Sequence, residues 1–456
     1  MFGVREDSDL CLQKWPVRGV ASSPPLTYSM AEAPDATELV GWVPEDTNRG
    51  TWTIITSSLF TIIVCTWTAI HPRTHVSRRL RNTHKLCQLV KAIIAPEMVC
   101  LESLQELIQA QKAVRRCANA ATGKFTLLHG FYLGMMGVRY RVGEEGGYRT
   151  LWPGQYAWLL NNGLVSWDDH KSWGLSKEDI QDKNKADGLV KLTALLQALW
   201  FTLQSIVRMA HGLPLAPLET MTLAYVFNAF VTYGCWWAKP KDIATASFVD
   251  LPDMSARQKE IFESLSMEET YDILNPNQKQ SMNIAWYVVA RDCRDDEVLV
   301  MARLEHDLER NQPQVTTKSL VVESENEIEE TSSTSVITEW DANLYMTRYW
   351  PLLCILGASF GAVHLLSWKT AFPTVVEMWL WRSSALISVV TAVLCMQFRT
   401  MTMKWEGPMS LIKIGSPLLY IISRLIMAVE TFAGLRAMEA GTYATYEIWN
   451  YWFHFF

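Results

Sequence analysis

Apolar residues fall along this chain in long blocks separated by charged stretches, the pattern of a protein whose helices are solvated by lipid rather than water. Thr51 to Ile70 runs twenty residues without a charge. At 1.5 Å rise per residue, about 20 residues cross the ~30 Å hydrocarbon core. Leu192 to Val207, Thr220 to Ala238, Trp350 to Trp368, Ser383 to Phe398 and Ile414 to Leu435 read as further spans. Two stretches are ambiguous. Leu86 to Leu101 is apolar but carries Lys91, Pro96 and Glu97, which fits either a kinked span or a helix lying at the interface. Phe125 to Val138 is too short to span, and its glycines suit close packing or a re-entrant segment. The expected architecture is an all-α transmembrane bundle of about six or seven spans.

The polar stretches divide this pattern. Residues 1–50 hold no apolar signal region and read as a loosely ordered tail before a first helix cluster over 51–240. Within that cluster, residues 139–187, rich in Trp and Gly, read as a loop. Residues 241–347 form a charged, partly disordered soluble insert. It contains an amphipathic stretch from Ser255 to Leu265 and an acidic segment without aromatics from Val321 to Thr338. A second helix cluster occupies 348–456. Arg73, Arg78, Arg79, Arg81 and Lys85 follow the first span in one short loop, which places that loop in the cytosol and residues 1–50 on the opposite side.

Composition sharpens the picture at two points. Twenty Trp residues suit membrane interfaces, where the indole keeps one wet edge, more than they suit a soluble core. The net charge of −6 gives no polybasic footprint for nucleic acid. Nine Cys with no CxxC pair suggest neither a disulfide framework nor a zinc site. The chain has no Asn-x-Ser/Thr sequon, which disfavours long lumenal loops.

Most catalytic motifs are excluded on context. Gly123-Lys124 lacks the upstream glycine of a phosphate loop. The acidic run Asp292, Asp295, Asp296, Glu297 lacks DDxxD spacing and reads as a solvated helix face rather than a metal site. His71 and His75 have Pro72 between them, against a metal pair on one helix face. Gly357-Ala358-Ser359-Phe360-Gly361 matches G-x-S-x-G, but it lies inside an apolar helix, where small residues serve close helix packing. No cofactor or metal is expected.

Charges inside apolar helices are what remain, and such charges are functional candidates by default. Arg424 and Glu430 lie in the last helix, while Glu377 and Arg382 flank the short interfacial Trp379-Leu380-Trp381 before it. Lys185, Asp187, Lys191, Arg208 and Glu219 mark helix ends, where snorkelling or helix–helix ion pairing is the simpler reading. His129 and His364 are lone histidines in apolar surroundings, either packing residues or hydrogen-bond donors.

Several strings together resemble a family of fungal multi-pass membrane proteins. They are RGTWTIITSSLFTIIVCTWTAIHP from Arg49, HGFYLGMMGV from His129, KADGLVKLTALLQALWFTLQSIVRMAHGLPLAPLETMTLAY from Lys185, GCWWAKPKD around Trp236 and GAVHLLSWKTAFPTVVEMWLWR from Gly361. The resemblance covers residues 49 to about 240 and 340 to about 440, and the C-terminal WNYWFHFF departs from it by lacking a proline before the histidine. One family member is the norbornene-forming Diels–Alderase of sordarin biosynthesis. The resemblance implies an endomembrane protein of the endoplasmic reticulum or a related compartment that cyclises a hydrophobic terpenoid. Such a cycloaddition needs a cavity that holds the reacting carbons in near-attack geometry and a donor to polarise a dienophile carbonyl. Arg424, His364 and His129 are the candidate donors. Two other classes stay open: a transporter of a small hydrophobic metabolite, whose usual internal duplication is not seen, and a non-catalytic membrane organiser whose acidic insert recruits partners.

Overall fold

The computed structural model describes residues 38–45, 49–74, 78–142, 147–183, 188–265, 350–395 and 408–444. Among these the chain is mostly helical, and three helices are long and apolar enough to cross a membrane: Thr51–Ala69, Val375–Cys395 and Ile414–Arg436. Pro351–Ser367 is equally apolar but shorter. The count of six or seven spans is therefore not reached by length and composition.

Helix α1 (Thr51–Ala69) buries Ile54, Ser58, Thr61 and Cys65 on one side. Its hydroxyls return to the backbone, Thr61 to Ser57 O at 2.7 Å and Thr66 to Ile62 O at 2.8 Å, so they cost the apolar helix little. Trp52 and Trp67 are exposed near its two ends, about 22 Å apart along the axis. Helices α2 (Arg78–Ile94) and α3 (Pro96–Cys117) divide the ambiguous run at 86–101. Pro96 cannot continue α2 but suits the first turn of α3. Leu86, Val90, Ile93 and Ile94 stay exposed on α2, whereas Met98 and Leu101 of α3 are buried. The run is thus one exposed amphipathic face followed by one core helix.

Helices α4 (Leu127–Gly134), α5 (Pro153–Asn161) and α6 (Lys177–Asp182) are short. Helices α7 (Gly188–Ala210) and α8 (Pro217–Cys235) are long enough to span, but their Gln, Thr and Asn residues lower the hydropathy. α8 is the central helix and packs on α1, α3 and α7. After α9 (Ala256–Ser264), helices α10 (Trp350–His364), α11 (Val375–Cys395) and α12 (Met409–Ala433) form the second cluster. α10 packs on α3, α8 and α11, and α12 on α11 and α8, so the two clusters share one core. The glycine of the G-x-S-x-G string makes the α10–α11 contact. A Cβ on Gly361 would meet Val389 Cγ2 at 2.8 Å and Ala385 O at 3.0 Å. Ser359 donates to Leu356 O at 2.6 Å and to Asn228 Oδ1 at 3.1 Å, bonds of a helix-packing residue rather than of an exposed nucleophile.

The stretch at 139–187 is not a loop, and the fold is not purely helical. Strand β2 (Val138–Val142) pairs antiparallel with β3 (Gly147–Thr150) and parallel with β4 (Ser247–Val249). This sheet, α4 to α6, α9 and the C-terminal half of α3 enclose a separate core that includes Tyr132, Tyr156, Trp158, Trp167, Trp173 and Phe262. Part of the high Trp count is thus spent on a packed lobe. The short run at 125–138 belongs to this lobe, and Gly130 meets α3 closely, since its Cβ would lie 2.9 Å from Ala110 O. β4 and α9 complete it from beyond residue 240, where Gln155 Nε2 donates to Phe262 O at 3.0 Å.

The described residues just before α1 are also anchored. β1 (Leu39–Val40) pairs with β5 (Met438–Glu439) beyond α12. The acidic segment 321–338, Asp292 to Glu297, His75, Lys185, Asp187 and the C-terminal WNYWFHFF lie outside the described residues.

The Gly361 contact makes a direct prediction. Gly361→Leu should wedge α10 from α11 and cost about 1–3 kcal/mol, the usual range for overpacking. Thermal unfolding of the detergent-solubilised chain would read this as a lowered midpoint, with Gly361→Ala milder.

A buried charge cluster as candidate functional site

Glu97 is the second residue of α3, just after Pro96. The helix N-terminus favours its negative charge, and the packing of α3 on α10 leaves it fully buried. Tyr420 and Arg424 stand four apart on α12 and share one face. Tyr420 Oη donates to Glu97 Oε1 at 2.6 Å, and Arg424 Nη2 pairs with the same oxygen. Arg424 Nη2 also donates to Tyr420 Oη at 2.9 Å. One carboxylate oxygen thus receives two donors that are themselves hydrogen-bonded.

Aromatic rings surround this polar centre. The Arg424 guanidinium carbon lies 3.5 Å from the Phe360 ring centroid, close enough for a cation–π contact. Phe360 meets Tyr225 edge-on at 5.2 Å and the His364 ring at 4.6 Å, and His364 lies 5.2 Å from Trp381. His364 Nδ1 is 2.7 Å from Phe360 O, a contact that requires the proton on Nδ1. In the neutral ring Nε2 is then an acceptor, so His364 has no donor left for a carbonyl. Arg424 differs. Its Nε and Nη1 are buried without a hydrogen-bond partner, as are Glu97 Oε2 and His364 Nε2. Those groups leave two donor nitrogens, with three N–H bonds, and two acceptors unpaired among the described residues.

Of the three expected donors, Arg424 and His364 come together and His129 does not. His129 sits in the lobe as the third residue of α4, where its Nδ1 accepts from Thr126 N at 2.9 Å in a capping box. Trp167 meets it edge-on at 5.5 Å. Burial pushes its pKa down from 6.5 to about 4, with an opposing backbone hydrogen bond to Leu175 too weak to restore it. Sequence reasoning missed Tyr420 and Phe360, and it treated Glu97 only as a reason for doubt about a span. The available signal was the 420/424 spacing on one helix with a lone acid in another apolar run.

Most of the remaining charges are structural ties. Arg208 is buried at the end of α7 and clasps the chain beyond α12, donating to Ala444 O at 2.8 Å and Thr442 O at 2.7 Å. Snorkelling does not describe it. Glu219 pairs with Arg49 and accepts from Ala216 N at 3.0 Å at the start of α8. Arg382 donates to Trp368 O at 3.0 Å, and Arg436 pairs with Glu377. Glu430 is 6% exposed, with Oε2 unpartnered. His71 Nδ1 lies 2.9 Å from Ala69 O. No group of three or more His, Cys, Asp or Glu is placed to hold a metal among the described residues. A small open cleft lies between α1, α3 and α8, lined by Cys65, Pro96, Val99, Tyr225 and Asn228. It adjoins the cluster through Pro96 and Tyr225.

The model of a family of unknown function (DUF8562) matches residues 25–122 and 170–311, together more than half of the chain. The chain belongs to this family. No curated protein and no solved structure matches it. The family segments contain Glu97, α1, α8 and the second half of the lobe, whereas His129, His364, Tyr420 and Arg424 lie outside them.

Two predictions follow from the geometry. Glu97→Ala leaves a buried guanidinium without its counter-charge and should destabilise the chain by about 3–5 kcal/mol. The double variant Glu97→Gln/Arg424→Met should be less destabilised than either charge-removing single variant, read by thermal unfolding in detergent. For His129, the unfolded chain takes up a proton near pH 6.5 while the folded one resists until about 4. Its contribution is therefore complete above pH 6.5 and lost as pH falls toward 4, by up to about 3 kcal/mol. His129→Gln, which keeps an acceptor for the cap, should flatten that part of the stability–pH curve.

Proposed function

We propose that this chain is a multi-pass integral membrane pericyclase that catalyses a cofactor-free intramolecular Diels–Alder cyclisation of a terpenoid in fungal secondary metabolism. We place it in the endoplasmic reticulum or a related endomembrane. The resemblance of the strings quoted above supplies the reaction class. The observation that carries the chemistry is Arg424, a buried cation with two unpartnered donor nitrogens beside a wall of Phe360, Tyr225, His364 and Trp381. A water-excluded donor of this kind stabilises charge developing on a dienophile carbonyl far more than it would in water. Glu97 and Tyr420 hold the guanidinium in place. The cycloaddition turns two π bonds into two carbon–carbon σ bonds, so it consumes no cofactor and needs no nucleophile.

The finer membrane reading has support in the outer surfaces. Leu192, Leu196, Leu199, Leu203 and Ile206 form an exposed apolar stripe along α7, a surface that suits lipid. With α7, α8 and α10 beside the three candidate spans, the bundle has six. The cleft beside the cluster, about 20 Å³, is far below the ~300–1,000 Å³ usual for small-molecule sites. Substrate entry from the bilayer would therefore part α1 from α8. The competing class, export of a small hydrophobic metabolite, draws on the buried carboxylates Glu97 and Glu430 as a relay.

Microsomes from a yeast host expressing the chain should convert a cyclopentadiene-bearing terpenoid aldehyde faster than empty-host microsomes. Arg424→Ala should lower that rate about 100-fold or more at equal membrane-inserted protein. His364→Phe should change it far less. No acceleration by folded, inserted protein overturns the pericyclase, and uptake of the same compound into sealed vesicles would then identify an exporter.

A further inference from the structure

A second polar constellation lies in the lobe, away from the charge cluster. Lys183 follows α6, Tyr132 is on α4 and Ser247 opens β4, so three separate elements converge on it. Lys183 Nζ lies 2.8 Å from Ser247 Oγ and 3.2 Å from Tyr132 Oη, and the two hydroxyls are 2.9 Å apart. Ser247 fits because residue 174 is glycine. A Cβ there would collide with the Ser247 hydroxyl, and the φ of +62° already favours glycine.

The donors of this triad do not all find protein partners. A lysine ammonium has three N–H bonds, and two are directed at Ser247 and Tyr132. Tyr132 is fully buried, so its O–H is spent on Ser247 Oγ, the acceptor within reach. Ser247 Oγ then accepts from both neighbours and keeps its own O–H free. Lys183 and Ser247 are only half-buried, and no carboxylate pairs with Lys183 among the described residues. One N–H and one O–H are thus left by a cation without a counter-ion among the described residues.

We propose that Lys183 and Ser247, held by Tyr132, form a binding site for a phosphate group, either free or on a lipid headgroup. A partly desolvated ammonium is completed by an anion, and charge-assisted bonds of this kind are stronger than neutral ones. The same count argues against Ser247 as a nucleophile. Both lone pairs of its oxygen accept hydrogen bonds, and an ammonium that donates to it cannot also take its proton. The site is independent of the cyclisation reading, and Lys183 and Ser247 both fall within the family segment 170–311.

The test uses the full chain in detergent, with inorganic phosphate titrated against chloride at constant ionic strength. Phosphate should raise the unfolding midpoint saturably, with an apparent affinity about tenfold or more weaker in Lys183→Gln. In the wild-type chain, phosphate should also protect Lys183 from amine acylation, read by peptide mass spectrometry, a measurement that needs no variant. Mixed micelles with phosphatidate in place of phosphatidylcholine form the second arm. Protection by phosphatidate alone assigns the site to a headgroup, and protection by both assigns it to the phosphate group itself. Absence of protection in both arms, or an equal midpoint shift in Lys183→Gln, overturns the site.

Discussion

The structure depends on one buried ion pair, Glu97 with Arg424, bridged by Tyr420. It joins α3 of the first helix cluster to α12 of the second across more than 300 residues of chain. In an apolar interior each of these charges alone would be costly, so the two helices can bury them only together. The pair therefore fixes the register of the two clusters as well as their contact. It stands beside the Cys100, Leu101, Leu356 and Tyr420 core, so polar and apolar packing specify the same arrangement.

At the other end of α12 the chain is closed by a different device. Arg208 gathers the carbonyls of Thr442 and Ala444, Tyr443 Oη lies 2.9 Å from Thr51 Oγ1, and β1 pairs with β5. The guanidinium satisfies backbone acceptors that have left regular structure inside the protein, where water does not reach them. The segments preceding α1 and following α12 are thereby tied to one another. Functional candidates concentrate instead near the Glu97 end, where donors and acceptors are buried but unmatched.

The lobe shows a separate principle. Its core is aromatic and its polar groups serve caps and turns: His129 caps α4 and Gln155 bridges to α9. At Lys183, Tyr132 and Ser247, three half-buried or buried groups converge and their donors exceed their acceptors.

The membrane-length apolar helices were legible in the sequence. Long apolar runs such as 51–70, without a charge, and 414–435, with only Arg424 and Glu430, state their character residue by residue, because hydrophobic length is a local property. The close helix packing at Gly361 was legible for the same reason, whereas the run at 86–101 stayed open between a kinked span and an interfacial helix until the structure divided it at Pro96. The lobe was not. Its strands are short, its apolar residues are spaced among glycines and charges, and its last strand comes from beyond residue 240. Arg424 stood out as a charge in an apolar helix, but its partner 327 positions away did not. Nor did the sequence separate His364 from His129 as donors, since a tautomer is set by the acceptor that faces the ring. Sequence determined which segments avoid water. Tertiary structure alone decided which buried polar groups meet and which are left unpaired, because pairing depends on contacts between residues far apart in the chain.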